Sequence, residues 1–208
     1  MSNYIKELIL QGENVHLDFK FEISDTRKIS RSLSAFANTH GGTLLVGVKD
    51  NGAIAGIRSE EEYYMLQAAA ELHTKPTVHF SAKQWHINGK TILEVTIPKS
   101  NDLPHYAKIE NDQWVSYIRI HDENRIANSV ILKVWNKQKN KDAVLVRYRE
   151  KEEWLLDYLS QNSTISLSAF CKKAAIPKFL AEKILVNLIL LKIIDYQFTS
   201  DSVIYKLV

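Results

Sequence analysis

The sequence predicts an α+β domain built on a mixed β-sheet with helices, followed by a smaller, mostly helical domain. Three observations carry that prediction. Residues 43–48 are an unbroken apolar run, the pattern of a strand buried on both faces, and an amphipathic segment and the corner Gly41-Gly42 lead into it. Asn-Gly stands between apolar runs at Asn51-Gly52 and again at Asn88-Gly89, a strong short-range hairpin signal. Beyond the polar stretch NKQKNKD, which reads as a linker, apolar residues recur at helical spacing.

Taken in order, residues 4–11 form a short helix with Tyr4, Ile5, Leu8 and Ile9 on one side, ending before Gly12. In residues 13–20, Val15, Leu17 and Phe19 alternate with His16, Asp18 and Lys20, the period of a half-buried strand. Ser24 or Asp25 caps a helix through about residue 38, with Ile29, Leu33, Phe36 and Ala37 inward and Arg27, Lys28 and Arg31 outward. Residues 53–57 return from the first Asn-Gly turn as a strand. Ser59 with Glu60, Glu61 and Glu62 opens a helix to about His73, and Pro76 stops it. Residues 78–86, 91–98 and 114–120 read as strands, with a polar loop over 100–112 containing Pro104, His105 and Tyr106.

A helix over residues 129–136 closes the first domain, which spans 1–136. In the remainder, 137–208, residues 152–159 are helical, Ser166 caps a brief helix, and Pro177 opens a longer one through about Leu191. Strands at 194–199 and 203–207 follow. Three helices closing on a hairpin are the pattern of a winged helix-turn-helix.

Composition narrows the function classes. The 208 residues are 45% hydrophobic and 25% charged, ordinary for a globular protein. No apolar run approaches the roughly 18 residues a membrane helix needs. The start, MSNYIKEL, has neither the basic nor the apolar part of a secretory leader, so a cytoplasmic location is expected. Cys171 is the single cysteine, which excludes an internal disulfide and argues against a cysteine-based zinc site. The net charge of +3 is unevenly spread, −2 over residues 1–132 and +5 over 133–208, a hint of a polyanionic partner for the C-terminal part. No G-x-x-x-x-G-K-[ST] is present, and Gly41-Gly42 reads first as a helix C-cap, so a nucleotide-binding module is a minor alternative. The seven histidines are scattered without metal-ligand spacing.

The combination of Glu13, Asp18-Phe19-Lys20, Ala35-Phe36-Ala37-Asn38-Thr39, Gly41-Gly42 and Val46-Gly47-Val48-Lys49-Asp50 with Gly52 and Gly56 resembles the AlbA-like domain of the Schlafen family. Tyr117-Ile118-Arg119 and Arg125-Ile126-Ala127 resemble its closing strand and downstream Ala. The resemblance covers about residues 10–130 and implies a Schlafen-core fold. Bacterial members are described as DNA-binding or ATP-binding transcriptional regulators, often with a winged helix attached. Schlafen nucleases cut structured RNA with three carboxylates and a divalent metal, which by resemblance places Glu13, Asp18 and Asp50 as catalytic residues and as ligands of Mg²⁺ or Mn²⁺. Asp18 stands where Glu is usual, which sets that carboxylate back by one methylene. Lys20, Arg119 and Arg125 would hold backbone phosphates. The residues alone leave another reading open, in which Asp18 pairs with Lys20 or a strand neighbour and Asp50 simply opens the Asn-Gly turn.

In the tail, the outward positions of the Pro177 helix are Lys178, Phe179, Glu182, Lys183 and Asn187. Lys178 and Lys183 suit phosphate or guanine, and Asn187 suits adenine. Arg147, Arg149 and Lys151 add a basic strip for a phosphate backbone. The first expectation is a nucleic-acid-binding protein, a transcriptional regulator, with DNA or structured RNA as partner, no membrane and, by analogy, a homodimer. The alternatives are a metal-dependent endoribonuclease and a protein-interaction scaffold, in which the winged helix serves packing or dimerisation.

Overall fold

The computed structural model describes residues 2–140, 149–199 and 202–208. Contacts between Cα atoms divide the chain into two compact units, Met1–Ile126 and Ala127–Val208. No helix among the described residues is long and apolar enough to cross a membrane.

The first unit begins with α1 (Ser2–Gln11), β1 (Leu17–Lys20), α2 (Thr26–Asn38) and β2 (Gly42–Val46). It continues through α3 (Glu61–Leu72), β3 (Thr74–Lys75), β4 (Ser81–Ile87) and β5 (Lys90–Ile97). It closes with β6 (Tyr106–Lys108), β7 (Trp114–Val115), β8 (Tyr117–Ile120) and β9 (Glu123–Ile126). The main sheet has the order β1-β2-β5-β4. Its first pair is parallel, Leu17 opposite Thr43 and Lys20 opposite Val46, so α2 is the crossover that parallel strands require. The other pairs are antiparallel, and β4–β5 is the expected hairpin at Asn88-Gly89.

Both faces of this sheet are covered, which accounts for the continuous apolar run in β2. On one face Leu33, Phe36 and Leu66 of the helices pack on Leu44, Val46, Val95 and Ile97. On the other, Ile5 of α1 packs on Leu17, Phe19, Leu45 and Ile92. Side chains alternate along β1, so Leu17 and Phe19 enter the α1 side and Asp18 faces α2.

Local signals set the helix ends. The Asp25 side chain accepts the Arg27 and Lys28 N–H groups at the start of α2, 2.8 and 3.2 Å away. Ahead of α3, Glu62 accepts the Arg58 and Ser59 N–H groups while Ser59 Oγ accepts that of Glu61.

Three expectations about elements are corrected. The strand over 43–48 stops at Val46, because Gly47 turns the chain at φ +91° and its carbonyl accepts from Ala55 and Gly56. The return segment 53–57 therefore keeps only an isolated bridge, Val48 to Ile54. The strand expected over 114–120 splits at Ser116 into β7 and β8, which belong to different sheets.

The second unit contains α4 (Ser129–Asn140), α5 (Glu150–Asn162), β10 (Ile165–Ser166), α6 (Leu167–Lys173), α7 (Lys178–Leu190), β11 (Ile194–Phe198) and β12 (Val203–Leu207). Its sheet has the order β10-β12-β11, antiparallel throughout. Helices α5 to α7 and the closing hairpin lie where the sequence places them, and Ser166 Oγ accepts the Ala169 N–H as the cap of α6. Helix α4 differs. It runs through the first five residues of the supposed linker, and it belongs to this unit, so the contact boundary falls at Ile126 rather than at 136. Its buried Val130, Ile131, Val134 and Trp135 form one face, and α4 packs on α7.

Candidate nucleic-acid interface

Asp18 is 2% exposed at the centre of a buried polar cluster. Lys20 Nζ lies 2.9 Å from Oδ2, Arg119 Nη2 lies 3.3 Å from Oδ1, and Ser32 Oγ donates to Oδ2 at 3.4 Å. Arg119, 1% exposed on β8, spends its other donors inward as well. Its Nε donates to the Asn14 carbonyl, Nη2 to the Leu17 carbonyl and Nη1 to Asn124 Oδ1, and its guanidinium sits 5.1 Å from the centre of the Phe36 ring. A carboxylate on the α2 face of β1 would cost several kcal/mol if left bare, and Arg119 offsets that cost. The expectation that Arg119 holds phosphates is thereby corrected: the residue is a buried tie between β8 and the loop leading into β1. Lys20 is half-buried, engaged by Asp18 and by the Phe19 carbonyl.

Glu13 accepts the Phe19 N–H at 2.8 Å. Burial, together with a hydrogen bond to Asp18 that only its protonated form can donate, pushes its carboxyl up to about 7. Asp50 does not join the pair. It is exposed in the turn after Val48, and among the described residues no three His, Cys, Asp or Glu side chains come together in a set that could hold a metal ion. Both Asp18 oxygens are taken up by cations from the chain itself, at 2.9 and 3.3 Å. Glu13, Asp18 and Asp50 do not come together as a set that fits a divalent cation in this arrangement, contrary to the shared metal site that the resemblance implies. The alternative of an Asp18–Lys20 pair and a turn-opening Asp50 matches the geometry.

The remaining basic positions separate into groups. Arg125, on β9, pairs with Glu123 at 2.9 Å. In the second unit, Arg149, Lys183 and Asn187 meet: with Lys151, Glu150, Glu152, Leu180 and Ile184 they line one cleft of about 490 Å³ between the start of α5 and α7. Lys151 is taken up by Glu150 at 3.2 Å. Arg149 and Lys183 are exposed and make no ion pair among the described residues. Lys178 lines a different cavity, with Ser166, Ser168 and Lys172. Arg147 lies outside the described residues.

Glu182 is not outward, as the helical spacing had it. It is 6% exposed and binds Lys133 and Ser129 of α4. Burial raises its carboxyl, but hydrogen bonds from Lys133 and Ser129 and the charges of Lys133 and Lys178 outweigh this and hold it below the usual range. Helix α4 thus covers one of the faces α7 would otherwise present, leaving Phe179, Lys183 and the half-buried Asn187 as its open stripe.

A family model described as Schlafen, AlbA_2 matches residues 13–128. The chain belongs to that family. Two solved structures are similar to it at 19% identity. One is the DIP2311 protein from Corynebacterium diphtheriae, over 60% of this chain and 24% of that one, TM-score 0.45. The other is the N-terminal domain of a RecG-related protein from Nitrosomonas europaea, over 70% and 95%, TM-score 0.40. The chain thus spans about a quarter of the length of the Corynebacterium protein. No curated protein matches it.

Within the Schlafen AlbA_2 domain, the Ala35–Thr39 motif is a structural hub. Asn38 Nδ2 lies 2.8 Å from the carbonyls of His105 and Tyr117 and within hydrogen-bond distance of Ser34 and Ser116, while its Oδ1 accepts the His105 N–H. Thr39 Oγ1 donates to the Ala35 carbonyl and accepts the Arg119 N–H. Sequence reasoning missed Ser32 and Asn124, which complete the Asp18–Arg119 cluster and bond each other at 2.8 Å. Ser32 lies 14 residues from Asp18 and 92 from Asn124, so no local pattern announced it, and the five-residue step from Arg119 to Asn124 follows no helix or strand pattern that would single Asn124 out.

Proposed function

We propose that this Schlafen AlbA_2 protein binds nucleic acid, with its second unit acting as a winged helix on duplex DNA in transcription regulation. The observation that carries the reading is the meeting of Arg149, Lys183 and Asn187 in one cleft. Two exposed cations without an ion pair among the described residues, one at the N-cap of α5 and one on α7, offer point charges for neighbouring phosphates, and Asn187 supplies an amide of the kind that pairs with adenine. The order α5-β10-α6-α7 followed by the β11–β12 hairpin supports the winged-helix reading. With α4 over one face of α7, phosphate contacts dominate and base readout is confined to the Lys183–Asn187 stripe. The nuclease reading has no comparable support, since Asp18 is neutralised by Lys20 and Arg119.

Gel retardation of a labelled duplex by the full chain at about 50 mM salt tests this. Retardation by the wild type, lost in the double variant R149E/K183E at unchanged fold, is expected. Retardation unaffected by the double variant, or tRNA bound and duplex ignored, would overturn it.

A further inference from the structure

Strands β1 and β2 run parallel, so the segments that follow them leave the sheet at the same end. Phe21, the first residue after β1, is 41% exposed there. Lys49, two residues beyond Gly47, places its Nζ 5.5 Å from the centre of the Phe21 ring, and the Arg58 guanidinium lies 6.0 Å from it. Three segments thus bring together one part-exposed aromatic ring and two cations lying over it. At such distances the attraction is near its outer limit of about 6 Å, so both cations are loosely held. Lys49 has no ion pair among the described residues, and Arg58, 75% exposed, has only the surface pair with Glu22 at 3.1 Å. Surface pairs of this kind are worth about 0–1 kcal/mol and exchange readily for a better anion.

Covering the exposed part of an aromatic ring is favourable, and a flat apolar partner covers the most of its face. Two loosely held cations over the ring select a flat partner that carries anionic charge next to its face, onto which they can swing as the partner takes their place. We propose that Phe21 is a stacking platform for an unpaired base, with Lys49 and Arg58 on the flanking phosphates, so that the first unit binds single-stranded nucleic acid. A duplex keeps its base faces stacked on one another and cannot use the ring. This inference rests on the reading of the chain as a nucleic-acid-binding protein and goes beyond it by adding a second site and an unpaired strand.

The test uses the full chain and fluorescence anisotropy with labelled fifteen-residue oligo-dT and oligo-U, beside a labelled duplex. Base–aromatic stacking lost on truncation predicts that Phe21→Ala weakens oligonucleotide binding about 5- to 150-fold while Phe21→Trp preserves it. Lys49→Ala should flatten the dependence of log K on log salt by about 0.7, the single-strand increment for one phosphate contact. Duplex binding should be unchanged in Phe21→Ala, whereas Lys183→Glu should lose duplex and keep the oligonucleotide. Equal oligonucleotide affinity in wild type and Phe21→Ala, an equal loss on duplex, or duplex bound and oligonucleotides ignored would each overturn this inference alone. Binding of neither probe would overturn it together with the proposed function. Circular dichroism melts of each variant guard against misfolding, which the surface position of Phe21 makes easy to avoid.

Discussion

Replacing Asp18 by Asn removes one charge and almost no volume, and separates the two accounts of the carboxylates sharply. In a metal-binding set, clustered carboxylates repel, and neutralising one raises the stability of the metal-free protein. In this structure Asp18 is instead the counter-ion of Arg119, 1% exposed, and of the half-buried Lys20. Removing one partner of a buried pair costs about 3–5 kcal/mol. Arg119 keeps its bonds to Asn14, Leu17 and Asn124, and Lys20 can turn to water, which favours the lower end, about 3 kcal/mol. For a unit of the size of Met1–Ile126, between the ranges where 1 kcal/mol shifts the midpoint by about 4–8 and 2–4 °C, about 3 kcal/mol lowers the melting temperature by roughly 9–18 °C. Thermal denaturation of the full chain followed by circular dichroism, in EDTA and near pH 7, reads the shift. A variant as stable as the wild type, or more stable, would refute the assignment of Asp18 as a structural counter-ion.

Glu13 gives the matching pH prediction. Its folded carboxyl titrates at about 7, above the ordinary value of 4.5, so its contribution to stability is full below about 4.5 and is lost as pH rises through about 7. Glu13→Gln should therefore flatten the fall in denaturation midpoint between pH 5 and 8 relative to wild type, measured by urea titration at several pH values. Glu182 has the opposite sign: its lowered carboxyl contributes above the unfolded value and the contribution disappears as pH falls through the folded one, a loss that Glu182→Gln should remove from acid denaturation curves of the second unit. Asn38→Ala should cost about 2–4 kcal/mol, because the buried His105 N–H and Tyr117 carbonyl lose a partner, read as a lower urea midpoint. Gly47→Ala should also destabilise, by at least about 1 kcal/mol, since a Cβ there would stand 2.8 Å from the Gly56 carbonyl carbon at φ +91°.

The parts of the fold legible in the sequence are those fixed by neighbours in the chain. The Asp25 cap, the Ser59–Glu62 box, the Asn88-Gly89 hairpin and the buried run of β2 each follow from residues a few positions apart. Gly47 shows where this stops: an apolar run of six looks like one strand, and only the close pass of Gly56 behind it decides that the chain turns. The role of Arg119 is hidden from the sequence for the same reason. A cation in a closing strand suggests a phosphate contact, yet its ties reach Asn14, Leu17 and Asp18, about a hundred residues earlier. Helix α4 was cut short because its last turn is as polar as a linker, while the face formed by Val130, Ile131, Val134 and Trp135 is what secures it to α7. That same packing buried Glu182. Of the residues named from sequence for nucleic acid, Arg149, Lys183 and Asn187 do converge, because helix spacing places Lys183 and Asn187 one turn apart and Arg149 is the N-cap of the neighbouring helix.

The central claim is that exposed cations of the second unit hold a phosphate backbone. Affinity for a labelled duplex, measured by anisotropy from about 50 to 200 mM salt, tests it most directly. Log K should fall linearly with log salt, and Arg149→Ala and Lys183→Ala should each flatten the slope by about 0.9, one contact apiece. Binding that ignores salt, or slopes identical in wild type and both variants, would contradict the account.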